Sequence, residues 1–195
     1  MTMLFSPRRS RLKIAMFRLQ DVCVYVQEDL SSYIRTASLD RSPGIEATFR
    51  WLNKKGVEVA LISDLDPATT TVLLQRLNWS IGKGELVQAV IYDLFESVNP
   101  FARAMEQRGI MQGDSVLTLA DTPRLLKMAQ DCKIYFNLGT TSGSNSYQVL
   151  RNAPHLALLD QPVQLANFLL TYQQNTWTNP DFPSESLDGE DFLLH

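Results

Sequence analysis

The chain has 195 residues, 45% of them hydrophobic, and a formal net charge of −3. That length and apolar content suit one domain with a full core, and the slight acidity gives no general attraction to nucleic acid or to an anionic membrane. Each long apolar stretch is interrupted, as Ile14 to Val26 is by Arg18, Gln20 and Asp21, so no segment reaches the roughly 20 apolar residues of a membrane span.

Residues 1–11 carry Arg8, Arg9 and Arg11 without an acid and are expected to form a flexible basic leader. They faintly resemble a transit peptide, but no secretory apolar region follows. From residue 12 to residue 172 strand-like and helix-like runs alternate, which predicts an α/β fold, a doubly wound parallel sheet covered by helices. The strands are expected at 12–17, 57–63, 88–92, 115–120, 133–137 and 156–159, each rich in Val, Ile, Leu or aromatic residues. Proline in the first turn, with a polar residue just before it, marks five helix starts: Ser42-Pro43, Asp66-Pro67, Asn99-Pro100, Thr122-Pro123 and Gln161-Pro162. Gly56 and Gly109 follow cationic segments and are placed to end helices in a left-handed conformation.

Residues 173–195 contain acids but no Lys or Arg, with prolines at 180 and 183, and read as a flexible acidic tail. Its aromatics Trp177, Phe182 and Phe192 are candidate contacts for a protein partner, because aromatic side chains anchor interfaces disproportionately. Tyr25 and Tyr33 suit either a contact or the core. The two cysteines, Cys23 and Cys132, lack Cys-x-x-Cys or Cys/His spacing, which argues for a reducing, cytoplasmic setting and against zinc. The run Gly139 to Ser146 looks like a phosphate loop but lacks the closing lysine of a Walker A motif, and reads as a surface turn.

Ligands of open parallel sheets bind beyond the carboxyl ends of the strands. The polar residues there are Arg18 and Gln20, Ser63 and Asp64, Asp93, Asp121 and Thr122, and Asn137. The set has hydroxyls and carboxylates suited to phosphate or magnesium, but no histidine and no nucleophile with an activating base.

The segment Phe17-Arg18-Leu19-Gln20-Asp21-Val22 resembles the first motif of the haloacid dehalogenase superfamily, Phe-Asp-Leu-Asp-Gly-Thr. The resemblance extends from about Lys13 to Leu170 and is best with the phosphonatase-like branch. Gly56 to Ser63 is similar to its second motif and Leu119-Ala120-Asp121-Thr122-Pro123 to its fourth; Gly139 to Leu150 with His155 to Leu159 is similar to its C-terminal unit. The resemblance implies that Ser63 stands where the phosphoryl group is held and Asp121 where magnesium is bound. It also implies that Arg18 and Gln20 replace the nucleophilic and proton-shuttling aspartates, Phe95 the phosphate-binding cation, and Leu125 the second metal-binding acid. The insert between the first motif and the next helix, residues 24–42, is too short for the branch's multi-helix cap and has room for one helix over 27–36. It contains no lysine, so the branch's Schiff-base route has no counterpart.

A guanidinium stays protonated and is not a nucleophile. Loss of a catalytic nucleophile costs about 10⁶ in rate in a well-studied protease, more than the remaining hydrogen-bonding groups can return. The leading expectation is therefore a non-catalytic domain without a cofactor, acting as a binding, regulatory or assembly module for an unidentified protein. Arg18 is expected either to fill the metal position and pair with Asp121 or to extend to solvent. Two alternatives are a hydrolase with residual or altered magnesium-dependent activity, and a phosphate or anion sensor using Ser63 and Arg18.

Overall fold

The computed structural model describes residues 12–26, 38–94 and 98–176. The expected leader, the helix over 27–36, Tyr33, Phe95 and the tail residues Trp177, Phe182 and Phe192 lie outside the described residues. Six strands form one parallel sheet: β1 (Ile14–Arg18), β4 (Glu58–Ser63), β5 (Ala89–Tyr92), β6 (Val116–Ala120), β7 (Phe136–Thr140) and β8 (Ala157–Leu159), in the order β5-β4-β1-β6-β7-β8. A separate antiparallel pair, β2 (Val24–Tyr25) and β3 (Asp40–Arg41), follows the first sheet strand. The helices are α1 (Ile45–Lys54), α2 (Pro67–Arg76), α3 (Pro100–Gln107), α4 (Pro123–Asp131), α5 (Tyr147–Leu150) and α6 (Leu165–Thr176). The fold is α/β with a doubly wound parallel sheet, and no described helix is long and apolar enough to cross a membrane.

The chain divides into two compact units at Leu165. The first carries the sheet. The described part of the second is α6, in which the rings of Phe168 and Tyr172 stack with centroids 5.6 Å apart.

Alternation along β1 explains the two-sided core of the first unit. Ile14 and Met16 pack with Ile62, Ile91, Phe101, Leu125 and Leu126. Phe17 meets Phe49 of α1 edge-on at 4.9 Å, and Phe49 meets Trp79 at 5.6 Å. Arg18 ends this strand, the first position where the chain can place a charge at the rim of the sheet.

Three proline-marked starts form α-helices with the side-chain caps their sequences call for. Asp66 accepts from the N–H groups of Ala68 and Thr69, Asn99 from those of Phe101 and Ala102, and Thr122 from that of Leu125. Gln161-Pro162 opens a 3₁₀ turn instead, in which Gln164 Oε1 accepts the Gln161 N–H at 3.2 Å. Ser42-Pro43 is the exception. Helix α1 begins two residues later behind Gly44, whose φ of 69° and close approach to Val163 exclude a side chain; an ideal Cβ there would lie 2.6 Å from Val163 Cγ2.

The strand expected at 133–137 lies at 136–140. Lys133 adopts φ of 56° and turns the chain out of α4, with the Ile134 N–H bonded to Ala129 O, so the apolar run that looks like a strand start is spent leaving the helix. Two readings are corrected by this shift. Gly139 and Thr140 belong to β7 rather than to a surface turn, and Asn137 is buried inside the strand rather than at its end. Asn137 Nδ2 donates to Leu126 O and to Pro154 O, both at 2.8 Å, and Oδ1 accepts from Thr118 Oγ1, so it pins neighbouring segments and is closed to a ligand.

Candidate functional site

Strand β1 lies between β4 and β6, so the residues leaving these three strands converge at one point of the sheet's carboxyl edge. Arg18 is at its centre. Its Nη1 donates to Asp121 Oδ1 at 2.7 Å and to Asp21 Oδ2 at 3.2 Å, and its Nη2 donates to Asp64 Oδ2 at 3.0 Å. Asp64 follows β4, Asp121 follows β6, and Asp21 sits in the turn after β1 with φ of 61°. In the resembled first motif that position is glycine, and aspartate is among the few other residues that tolerate a left-handed backbone. The Arg18 side chain is 12% exposed and that of Asp121 is fully buried, whereas Asp64 is 40% exposed at the mouth.

Carboxylates outnumber cations three to one in this cluster. Burial by itself would favour a neutral guanidinium, but Asp121 and Asp64 outweigh it and hold the Arg18 pKa above its ordinary value. Asp21 is displaced the other way. Burial, with the nearby charge of Asp121, pushes its carboxyl above the usual carboxylate range even though Arg18 opposes the shift. The cluster is therefore net anionic, and its one cation is already engaged on three sides. An incoming phosphate meets repulsion here, whereas a free arginine at a helix start would attract it.

Asp121 is closed on its other side as well. Its Oδ2 accepts from the Ser144 N–H at 2.8 Å and from Ser144 Oγ at 2.7 Å. Gly143 lies directly over the carboxylate, where an ideal Cβ would sit 2.3 Å from Oδ2. Both oxygens are thus used by the protein, and a divalent cation would have to displace the guanidinium and the 142–146 segment to reach them. Leu125, at the position of the second acid, is a buried member of the core. Among the described residues no three of His, Cys, Asp and Glu are grouped to hold a metal ion. The donor set does not fit magnesium.

The remaining candidates are tied into the scaffold. Ser63 is fully buried; its Oγ accepts from the Leu65 N–H at 3.2 Å and shares a 2.8 Å hydrogen bond with Thr70 Oγ1, which itself donates to Leu65 O. Gln20 is buried, and its Oε1 accepts the Asp64 N–H at 3.3 Å; a neutral amide there orients Asp64 and has no proton to exchange. Asp93, beyond β5, is held bidentately by Arg124 at 2.5 and 2.9 Å. The sequence gives no sign of the Arg124–Asp93 pair or of the seat that Gly143 and Ser144 make for Asp121. Each joins residues from different strand ends, and the only hint was a hydroxyl-rich run placed beyond β7.

No protein-family model and no curated protein matches the chain. Solved structures do. A protein from Clostridium acetobutylicum described as a "predicted phosphatase" superposes with a TM-score of 0.67 at 14% identity, over 83% of this chain and 100% of that one. A hydrolase from Pseudomonas syringae gives 0.67 at 16% identity, over 82% and 99%. A haloacid dehalogenase-like hydrolase from Streptococcus pneumoniae gives 0.63 at 11% identity, over 81% and 98%. The chain shares the haloacid dehalogenase-like fold with these proteins.

Proposed function

We propose that this chain is a non-catalytic haloacid dehalogenase-like domain, retained as a binding, regulatory or assembly module. The observation that carries the reading is the Arg18–Asp121 contact of 2.7 Å, made to a carboxylate with no exposed surface. Where the resembled motif presents a carboxylate to phosphorus, the strand end offers a permanent cation. That cation supplies the positive charge otherwise brought by a metal, and Gly143 with Ser144 closes the opposite side. A fold of this kind supports many functions, and activity resides in the site rather than in the sheet that frames it.

A second reading is a hydrolase with residual or altered magnesium-dependent activity. The structural relatives favour it, since they are described as phosphatases and hydrolases. A colourless aryl phosphate that releases a coloured phenol, offered with excess magnesium, separates the two. The unmodified protein is expected to give no turnover above the uncatalysed rate. Turnover that survives purification and is abolished by Asp121→Ala would replace the first reading by the second.

A further inference from the structure

The net charge of −3 conceals an uneven distribution. At the carboxyl edge of the sheet, Arg18 and Arg124 are spent on Asp21, Asp64, Asp93 and Asp121. The amino edge has the opposite balance. Lys13 precedes β1, Lys54 closes α1 and Lys133 follows α4; all three are exposed, and none forms an ion pair among the described residues. The acids beside them are taken up, Glu58 by Arg108 at 3.3 Å and Asp131 by Lys127, and Asp114 is engaged as well. Of the other described acids on this side, Glu85 is offset by Lys83 two residues away, which leaves Glu106. Backbone pairing sets the lysines along one rim. The Lys13 N–H donates to Ser115 O at 2.8 Å and Lys13 O accepts the Glu58 N–H at 2.9 Å, while the Tyr135 N–H donates to Gly113 O at 3.1 Å, with Gly113 lying against Lys133 O. The rim thus crosses β4-β1-β6-β7, roughly 15 Å at the usual strand spacing. In the same rim, two residues before Gly113, stands Met111, which is 90% exposed.

We propose that the amino edge is a peripheral contact surface for an anionic phospholipid bilayer, with the lysine ammonium groups on lipid phosphates and Met111 at the acyl boundary. Cations next to an exposed apolar side chain match the two layers of such a surface, the charged headgroups and the hydrocarbon beneath them. The sequence that leads into Lys13 repeats the pairing, with Met3, Leu4 and Phe5 followed by Arg8, Arg9 and Arg11. A nucleic acid would answer the cations but not Met111, since its backbone offers no apolar layer to enter. Docking by this edge also turns the acidic edge away from a negatively charged surface, so the polarity of the sheet sets one orientation. The Arg18 cluster lies at the opposite edge, and the inference holds whatever that cluster does.

Sedimentation of the full-length protein with vesicles tests this, using phosphatidylcholine alone or mixed with an equal part of phosphatidylglycerol. The protein is expected to sediment with the anionic vesicles and not with the neutral ones, and to be released as salt is raised. Lys13→Gln and Lys133→Gln are each expected to weaken binding about fivefold. Met111→Ser is expected to weaken it about tenfold while leaving its salt dependence unchanged. Asp160→Asn, at an exposed acid after β8 on the carboxyl edge, also alters the net charge by one unit and is expected to leave binding unaltered. Equal sedimentation with both vesicles, or none with either, would overturn the proposal. So would anionic binding that any two of the three weakened variants retain at full strength with an unchanged far-ultraviolet circular dichroism spectrum; should one of them not fold, Lys54→Gln takes its place. A salt-sensitive complex with duplex DNA in the absence of vesicle binding would assign the cations to a nucleic acid instead.

Discussion

Replacing Arg18 by methionine is expected to lower the stability of the protein by about 3 to 5 kcal/mol at neutral pH, the range found when one partner of a buried ion pair is removed. Methionine fills much of the same volume, so the loss reports charge rather than packing. The cause is Asp121, which is fully buried and would retain the Ser144 hydrogen bonds but no counter-charge. Asp21 and Asp64 then add repulsion that the guanidinium now cancels. For a unit of this size the midpoint of thermal unfolding would fall by roughly 10 °C. Two controls make the attribution specific. Adding Asp121→Asn to the methionine variant removes the orphaned charge while keeping an acceptor for Ser144, and is expected to restore about half of the loss. Lowering the pH protonates Asp21, whose carboxyl already lies above the usual range, and removes part of the repulsion left in the variant, so its deficit relative to the unmodified protein shrinks in acid. Denaturant melts of the three proteins measure all of this, and a single-variant cost below about 1 kcal/mol would mean that the guanidinium is held only as a surface pair is.

Gly143→Ala is expected to cost about 2 to 4 kcal/mol, because the new methyl group falls on the Asp121 carboxylate rather than into space. Its ideal position is 2.3 Å from Oδ2, 2.5 Å from Cβ and 2.6 Å from Cγ, and Asp121 cannot turn away without breaking its bond to Arg18. The 142–146 segment must move instead, which gives up the two Ser144 contacts and leaves a buried carboxylate short of donors. Gly109→Ala is the natural comparison. That glycine adopts a left-handed backbone, with φ of 60°, which Gly143 does not, and nothing lies within 4 Å of its ideal Cβ, so only the backbone preference of about 1 kcal/mol is lost. Thermal melts of the two variants side by side would separate the collision from the backbone term. Equal costs would mean that the segment over Asp121 yields freely.

The parallel α/β architecture was readable because it rests on local chemistry. Asp66, Asn99 and Thr122 cap their helices with their own side chains, and proline after each fixes the first turn. The sheet's carboxyl edge followed from the same logic, which put Arg18 and Asp121 at one rim but left open whether Arg18 pairs with Asp121 or extends to solvent. What could not be read depends on distances between segments far apart in sequence. The register of β7 turns on how Lys133 leaves α4, and Ile134-Tyr135-Phe136 has the same apolar pattern whether it begins a strand or closes a helix. Asp21 and Asp64 as further partners of Arg18 follow from a turn geometry and a side-chain reach that no spacing encodes. Ser144 was hidden because its role consists of touching a residue 23 positions away.

The central claim is that a guanidinium stands where the resembled motifs imply a metal, so the most direct measurement is calorimetric titration of the unmodified protein with magnesium. No saturable heat is expected at millimolar magnesium. Saturable binding that disappears in Asp121→Ala would contradict the account, because it would place the cation on oxygens that Arg18 and Ser144 are held to occupy.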